Sequence, residues 1–403
     1  MHVLAVNTGS ASKKYALYEA LDSTSSPQAI FSAHFEKLGD GHQLTLQQAQ
    51  GEQEQVERQV ISAEQYNSSA VVLNELLKNK VDGFTPSLIE GLGFRVIHGG
   101  EFTGSVLIDE AVLAKLEAIK FLAPLHNAPA LAEIKACQGL WPSLPMVAVF
   151  DSAFHSTLPD YARAYAIPQK LDAQHVLRRY GFHGISYQSV LNKIDQALGG
   201  LPEKIIICHL GSGASITAIK NGESVDTSMG LTPLEGLVMG TRAGDIDAGL
   251  LLHLQAELKK SPEELDYWLN HECGLKGLSG KTSDVRELIE LEKAGDAGAT
   301  LALTVFAYRV KKYIGAYTAA LNGLNLLVFT AAIGEGSPIM RNKICIELDG
   351  LGIQLDQAKN DSITDQDGAA HEGEINSADA LVKVWIFKTD ELGQIAQETQ
   401  KLL

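Results

Sequence analysis

Residues 205–247 read IIICHLGSGASITAIKNGESVDTSMGLTPLEGLVMGTRAGDID, and their pattern decides the fold. The stretch opens on a short apolar run, Ile205 to Cys208, which predicts a buried strand. The run enters His209-Leu210-Gly211-Ser212-Gly213, and a second β-prone run follows from Ser215 to Ile219. Asn221-Gly222 is a tight-turn signal. The prediction is a hairpin with a glycine-rich first turn. Backbone N–H groups freed in such a turn can face an anion, and glycine lets a phosphate approach closely. Beyond it come hydroxyls at Thr227, Ser228, Thr232 and Thr241, a cation at Arg242, and carboxylates at Asp226, Glu235, Asp245 and Asp247. A glycine-rich surface connection would account for one such turn by itself.

A second copy argues against that bland explanation. Residues 3–18 read VLAVNTGSASKKYALY, again strand, Gly-Ser turn, strand. Laid over the first stretch, Gly9-Ser10 falls on Gly211-Ser212 and Asn7 falls on His209. Two such hairpins predict a duplicated domain with one phosphate loop per half, facing a common cleft.

Composition narrows the class. A chain of 403 residues has room for two or three domains with large cores. Hydrophobic content of 45% and charged content of 20% suit a globular enzyme. A net charge of -16 argues against nucleic acid as a partner, and any anionic substrate must be drawn by a local basic site. Cys137, Cys208, Cys273 and Cys345 are scattered without a C-x-x-C pair, so they are expected as reduced thiols, with neither a disulfide frame nor a zinc site. No apolar run approaches the length of a membrane span, and the opening residues start a strand at once; the expectation is a cytoplasmic protein without a membrane partner.

Taken in order, residues 1–60 are β-rich, with a polar hairpin around Gly41. A helix over 62–78 begins at a capping box of Ser62 and Gln65. Residues 91–100, GLGFRVIHGG, form a strand ending in a glycine pair, with Arg95 expected to point into an open cleft as an anion clamp. Ile97 lies two residues on and is expected to share its face. A helix covers 109–121, Pro124 to Asn127 break it, and another starts at Ala128. Residues 146–150 form a strand ending at Asp151, a frequent place for a catalytic carboxylate. RRYGFHG, 178–184, is a basic, glycine-punctuated loop before a helix over 186–198. Helices fill much of 248–321, and residues 326–330 are a buried strand running into a third glycine-rich turn, AAIGEGS. Residues 343–348 are expected to continue a helix and 356–378 to make a polar surface excursion. After a last strand at 382–387, Thr389 is expected to N-cap a final helix.

These motifs resemble the acetate kinase family over nearly the whole chain. Its opening signature, strand–N-x-G-S-x-S-x-K, is matched by Asn7, Gly9, Ser10, Ser12 and Lys14, and its second by VDTSMGLTPLEGLVMGTRAGDID. RVIHGGE, APLHN, VFDSAFH, RRYGFHG and FTAAIGE are also similar. The resemblance implies an α/β, duplicated ribonuclease-H-like (actin/hexokinase-type) two-domain fold with an interdomain active-site cleft. Residues 1–150 with 392–403 would form the N-terminal domain. Residues 151–391 would form the C-terminal, nucleotide-binding and dimerising domain of a homodimer.

The same resemblance implies reversible phosphoryl transfer from ATP to acetate, giving ADP and acetyl phosphate, with Mg²⁺ (or Mn²⁺ in its place). Arg95 and Arg242 would bind the carboxylate and the phosphoryl group in flight, His183 would stabilise that group, and Asp151 sits at a catalytic position. Asn7 and Glu391 fall at positions tied to phosphate and metal. Ile97, Leu125, Phe182 and Pro233 match the pocket for the acetate methyl. Phosphate and nucleotide contacts fall on Ser10, Ser12, Lys14, His209, Leu210, Gly211, Ser212 and Gly213. Further ones fall on Asp284, Val285, Arg286, Ala332, Ile333, Gly334, Glu335 and Gly336. The chain departs from the family at Ser212, Ala331, Ala332 and Gly336, and Lys281 precedes Thr282-Ser283-Asp284. ATP remains the expected donor, with weaker base discrimination. The alternatives are a propionate or other short-chain carboxylate kinase, a kinase with a non-ATP donor, or a non-catalytic nucleotide-binding protein.

Overall fold

The structure, a computed structural model, describes residues 2–9, 12–19, 28–39, 41–50, 53–81, 83–120, 123–171, 176–364 and 370–403. Ser10 and the side chain of Leu125 lie outside the described residues. The chain divides into two compact units. The first is Met1–Phe154 with Gly184–Ser189 and Asp390–Leu403; the second is His155–His183 with Val190–Thr389.

The first unit is built on a sheet of β1 (His2–Thr8), β2 (Ser12–Glu19), β3 (Gln28–Leu38), β4 (Gly41–Gln50), β5 (Gln53–Ile61), β6 (Ile89–Val96), β7 (Val106–Leu107) and β8 (Met146–Phe150). Their spatial order is β5-β4-β3-β2-β1-β6-β8-β7. The second unit's sheet comprises β9 (Lys204–Leu210), β10 (Ala214–Lys220), β11 (Glu223–Thr227), β12 (Leu326–Thr330), β13 (Gly373–Glu374) and β14 (Lys383–Ile386), ordered β11-β10-β9-β12-β14-β13.

The two sheets repeat one strand pattern. In the first, β3, β2 and β1 pair antiparallel, then β1, β6 and β8 pair parallel. In the second, β11, β10 and β9 pair antiparallel, then β9, β12 and β14 pair parallel. β1 and β9 are each seven residues long, and in each case three residues lie between the strand and its hairpin partner. This is the duplicated ribonuclease-H-like arrangement, and it explains why both hairpins read alike.

Central strands read as unbroken apolar runs because both sheet faces are covered. Along β1, Leu4 and Val6 join one core cluster while Val3 and Ala5 join another on the opposite face. The second cluster is closed by Ile395 and Ala396 of the C-terminal helix Glu391–Gln400. Gly93 makes that approach feasible: a Cβ there would fall 1.9 Å from Thr399 Oγ1.

Local signals were mostly obeyed, with five corrections. The Ser62–Gln65 capping box is formed, but the helix breaks at Ser68 into Ala63–Asn67 and Ser69–Lys80. Two helices are present as expected, Glu110–Ala118 and Pro124–Leu140, but the second starts at Pro124 and not at Ala128: Pro124 occupies its first turn, where its missing N–H costs nothing. The expected helix over 343–348 is instead Pro338–Cys345. The N-cap of the last helix is Asp390, whose side chain accepts from Gly393 N, because Thr389 N is already donated to Glu335 Oε1. Nor is the excursion over 356–378 all surface: Asn360 is buried and binds the fully buried Arg341.

Candidate active site

In the first unit, the ends of β1, β6 and β8 place Asn7, Arg95 and Asp151 side by side, and the first residue of the C-terminal helix adds Glu391. Arg95 donates to Asp151 Oδ2 from Nε (3.0 Å) and Nη2 (2.6 Å), and to Asn7 Oδ1 from Nη1 (3.1 Å). Asn7 Nδ2 donates in turn to Glu391 Oε2 at 2.8 Å, so the amide's orientation is fixed at both ends. Burial pulls the Arg95 guanidinium's pKa down, but Asp151 and Glu391 outweigh it and hold the group above its ordinary value. Arg95 is thus a largely buried, carboxylate-locked cation, where an open clamp was expected: its side chain is 14% exposed and that of Asp151 1%.

The turn after β6 is braced separately. Asn127 clasps the His98 backbone, accepting from its N–H and donating to its carbonyl. His98 Nδ1 accepts from Gly100 N, so the proton of the neutral ring belongs on Nε2. Burial lowers the His98 pKa to about 4. Ile97 is buried in this first unit, whereas Phe182 and Pro233 belong to the second.

In the second unit, His183 N-caps the helix Gly184–Leu198 in the left-handed region, with φ 58°. A non-glycine residue held there carries backbone strain of ~1–2 kcal/mol. Its Nδ1 lies 2.8 Å from Ser215 Oγ, and its ring stacks on His209 with centroids 4.1 Å apart. A point one bond off the Gly213 Cα, where a side chain would begin, is 3.6 Å from His183 Nε2 and 3.7 Å from Arg242 Nη1. The glycine hairpin therefore opens a corner within reach of both nitrogens.

Arg242 is set by its loop. Its Nη1 donates to Pro233 O at 3.2 Å. The 239–241 backbone is held by N–H groups of Cys273, Leu275 and Lys276, which donate to the carbonyls of Thr241, Met239 and Gly240. Arg179 secures the start of the same loop. Its Nη1 donates to the carbonyls of Thr227, Ser228 and Met229 at 3.0–3.1 Å, and its Nη2 binds Glu235. Tyr165 donates to the other Glu235 oxygen. Sequence reasoning had Arg179 only as part of a basic loop and missed Tyr165; nothing local marks either as the loop's support.

The remaining expected nucleotide contacts divide by exposure. Ser212 and Ala332 are exposed, and Gly213, Ile333 and Gly336 partly so. Leu210 and Val285 are buried, as are Gly211 and Gly334, and His209 is 7% exposed. The Glu335 carboxylate faces the protein: Oε1 accepts from the N–H groups of Ala331 and Thr389. Asp284 N-caps Val285–Lys293, and the exposed Arg286 folds back onto it. Ser12 and Lys14 lie on β2, Lys14 exposed opposite Asn7. Among the described residues no three His, Cys, Asp or Glu side chains converge as a metal cluster, and no helix is long and apolar enough to cross a membrane.

Comparison with known proteins identifies the family. The acetokinase family model matches residues 2–397. An acetate kinase of Dictyoglomus thermophilum is 43% identical over 409 positions, covering 100% of this chain and 99% of that protein. One from Clostridium botulinum is 43% identical over 407 positions, with the same coverage. Among solved structures, Porphyromonas gingivalis acetate kinase superposes with a TM-score of 0.86 at 37% identity, covering 100% of this chain and 99% of that one. A propionate kinase of Francisella tularensis superposes at 0.88 with 37% identity, covering both chains in full. With its family model matched over nearly the whole sequence and these relatives covered almost in full, this chain belongs to the acetokinase family.

Proposed function

We propose that the protein is an acetate kinase, transferring a phosphoryl group reversibly and directly between ATP and acetate to give ADP and acetyl phosphate. The observation that carries the reading is the corner beside Gly213, with His183 Nε2 and Arg242 Nη1 both within 4 Å. Acetate is already ionised near neutral pH, so the reaction needs little proton transfer. It needs anions aligned and charge neutralised on the equatorial phosphoryl oxygens. Preorganised donors in a loop clasped by backbone hydrogen bonds supply that stabilisation without reorganising. His183 acts as a hydrogen-bond donor from Nε2, with Nδ1 turned to Ser215. Arg95 is assigned to the acid and Arg242 to the phosphoryl group.

Glu391 would offer a hard carboxylate oxygen to Mg²⁺, held in place by Asn7 Nδ2; that ion commonly takes one or two protein carboxylates and completes its shell with phosphate oxygens and water. When bound it neutralises charge on the phosphates. Asp151 keeps Arg95 aligned beside them. Self-association through the second unit is supported by the helix Ala248–Leu258, AGLLLHLQAEL, which has no buried residue and leaves Leu252 70% exposed. Light scattering on the purified protein tests for the dimer.

The activity test is a hydroxylamine trap for acyl phosphate, run with Mg-ATP and with acetate, propionate and butyrate. Acetate should react best. Arg242→Ala should lower turnover by about a hundredfold or more, the scale of one lost electrostatic stabiliser. Equal rates in wild type and Arg242→Ala would remove Arg242 from the site. Saturable activity with pyrophosphate but none with ATP would overturn the donor.

A further inference from the structure

Between Tyr180 and Gly184 the backbone is bent twice into the left-handed region, at Gly181 (φ 73°) and His183 (φ 58°). Phe182 lies between them and is buried. Such a turn needs an external hold, because strain of this kind persists only where surroundings enforce it. The hold comes from His155, which is 1% exposed. Its Nε2 is 2.9 Å from Phe182 O and its Nδ1 is 2.8 Å from Ser224 Oγ. A carbonyl can only accept, so Nε2 carries the proton, and in the neutral ring Nδ1 then accepts from the Ser224 hydroxyl. Thr157 Oγ1 donates to Ser224 O and fixes the other side of that residue. The imidazole also lies close against the turn. A Cβ on Gly181 would come within 2.6 Å of His155 Cδ2 and 2.5 Å of Thr227 Cγ2.

From this geometry we infer that His155 is a positioning residue for the phosphoryl-transfer site. It grips the Phe182 carbonyl, thereby fixing the direction in which the next residue, His183, presents Nε2 beside Gly213 and Arg242. The inference rests on the reading of His183 as a stabiliser of the phosphoryl group. His155 itself touches no substrate. Of the two neutral tautomers only the Nε2–H form can make both bonds, so the neutral ring is held in one defined state.

Histidine-selective ¹⁵N labelling of the wild-type protein, in two-bond ¹H–¹⁵N correlation spectra, reads that state directly. His155 should show a protonated Nε2 and a bare Nδ1 at pH 7; a protonated Nδ1 would overturn the inference. The kinetic arm compares His155→Phe, which loses both bonds, with His155→Gln, whose amide nitrogen can still donate to Phe182 O. His155→Phe should lower kcat by about a hundredfold, the effect of misplacing a reacting geometry by ~1 Å, with KM for ATP little changed. His155→Gln should recover at least about tenfold of that loss. His183→Ala, measured alongside, separates the two failures. If it loses activity while a folded His155→Phe keeps kcat within about twofold, the positioning role falls and the site reading stands. If His183→Ala is itself near wild type, the site reading falls first. Should His155→Phe not fold, a kcat for His155→Gln no better than that of His183→Ala would equally refute the grip.

Discussion

Replacing Gly213 by alanine separates activity from stability. The added methyl would sit 3.6 Å from His183 Nε2 and 3.7 Å from Arg242 Nη1, ordinary contact distances, and Gly213 is not in the left-handed region. The fold should therefore accept it. Removing a glycine from such a position stabilises by ~0.4–1 kcal/mol, through the lower entropy of the unfolded chain. The same methyl fills the corner in which a phosphoryl oxygen would accept from both nitrogens. Donors of this kind act at ~2.7–3.1 Å, and losing one costs ~2.7–4 kcal/mol of transition-state stabilisation. Turnover in the hydroxylamine assay should fall about a hundred- to a thousandfold, while the urea midpoint holds or rises. Activity within about threefold of wild type, in a protein of unchanged stability, would show that no transferred group occupies that corner.

Other outcomes follow from the same geometry. Burial holds His98 and His155 neutral, each with its pKa lowered from 6.5 to about 4. The unfolded chain then binds more protons across that window, so stability is full above pH 6.5 and lost as pH falls toward 4. The limit is ~3 kcal/mol per histidine, readable as a falling urea midpoint between pH 7 and 5; a flat profile would contradict it. Arg341, fully buried, donates to the carbonyls of Gly334, Glu335 and Asn360 and to Asn360 Oδ1. Arg341→Ala would strand those acceptors and should cost roughly 3 kcal/mol or more in chemical denaturation, whereas a loss under about 1 kcal/mol would mean water replaces the guanidinium. Ile97→Ala should raise the propionate-to-acetate ratio of kcat/KM by about tenfold, the value of one methylene in a tight pocket. An unchanged ratio would take Ile97 out of the acid pocket.

Much of the fold was legible because its signals are local. β1 and β9 are covered on both faces, so every residue from Val3 to Val6 and from Ile205 to Cys208 had to be apolar. The two Gly-Ser turns follow at equal spacing and expose the duplication. Capping was legible where one residue type had one option, as at Ser62. It failed at Thr389-Asp390, where both residues can cap and a distant carboxylate, Glu335, takes the Thr389 N–H. Pro124 misled for a related reason: proline ends a helix from within but opens one from its first turn, and sequence alone does not say which side it occupies.

The candidate site divides along the same line. Asn7, Arg95, Asp151, His183, Gly213 and Arg242 each end a strand or sit in a glycine turn, so their place near chemistry shows in the residues beside them. The groups that hold them do not announce themselves. His155 meets Ser224 across 69 positions, Arg179 meets Thr227 across 48, and Asn127 meets His98 across 29. Each is a polar side chain whose burial makes sense only with its partner present, because an unpaired polar group costs ~1–3 kcal/mol inside a protein. Before the fold is known, burial and partner are both unknown, and the cheapest reading of such a residue is a solvated loop. Arg95 shows the consequence most sharply. As a cation beside a glycine pair it looked like an open clamp; with Asp151 buried against it, it is half of an ion pair. Removing it would leave a buried carboxylate uncompensated, at ~3–5 kcal/mol. Arg95→Ala therefore tests the stability of the first unit along with its chemistry, and a loss of activity in that variant speaks for a role in the site only where the urea midpoint is unchanged.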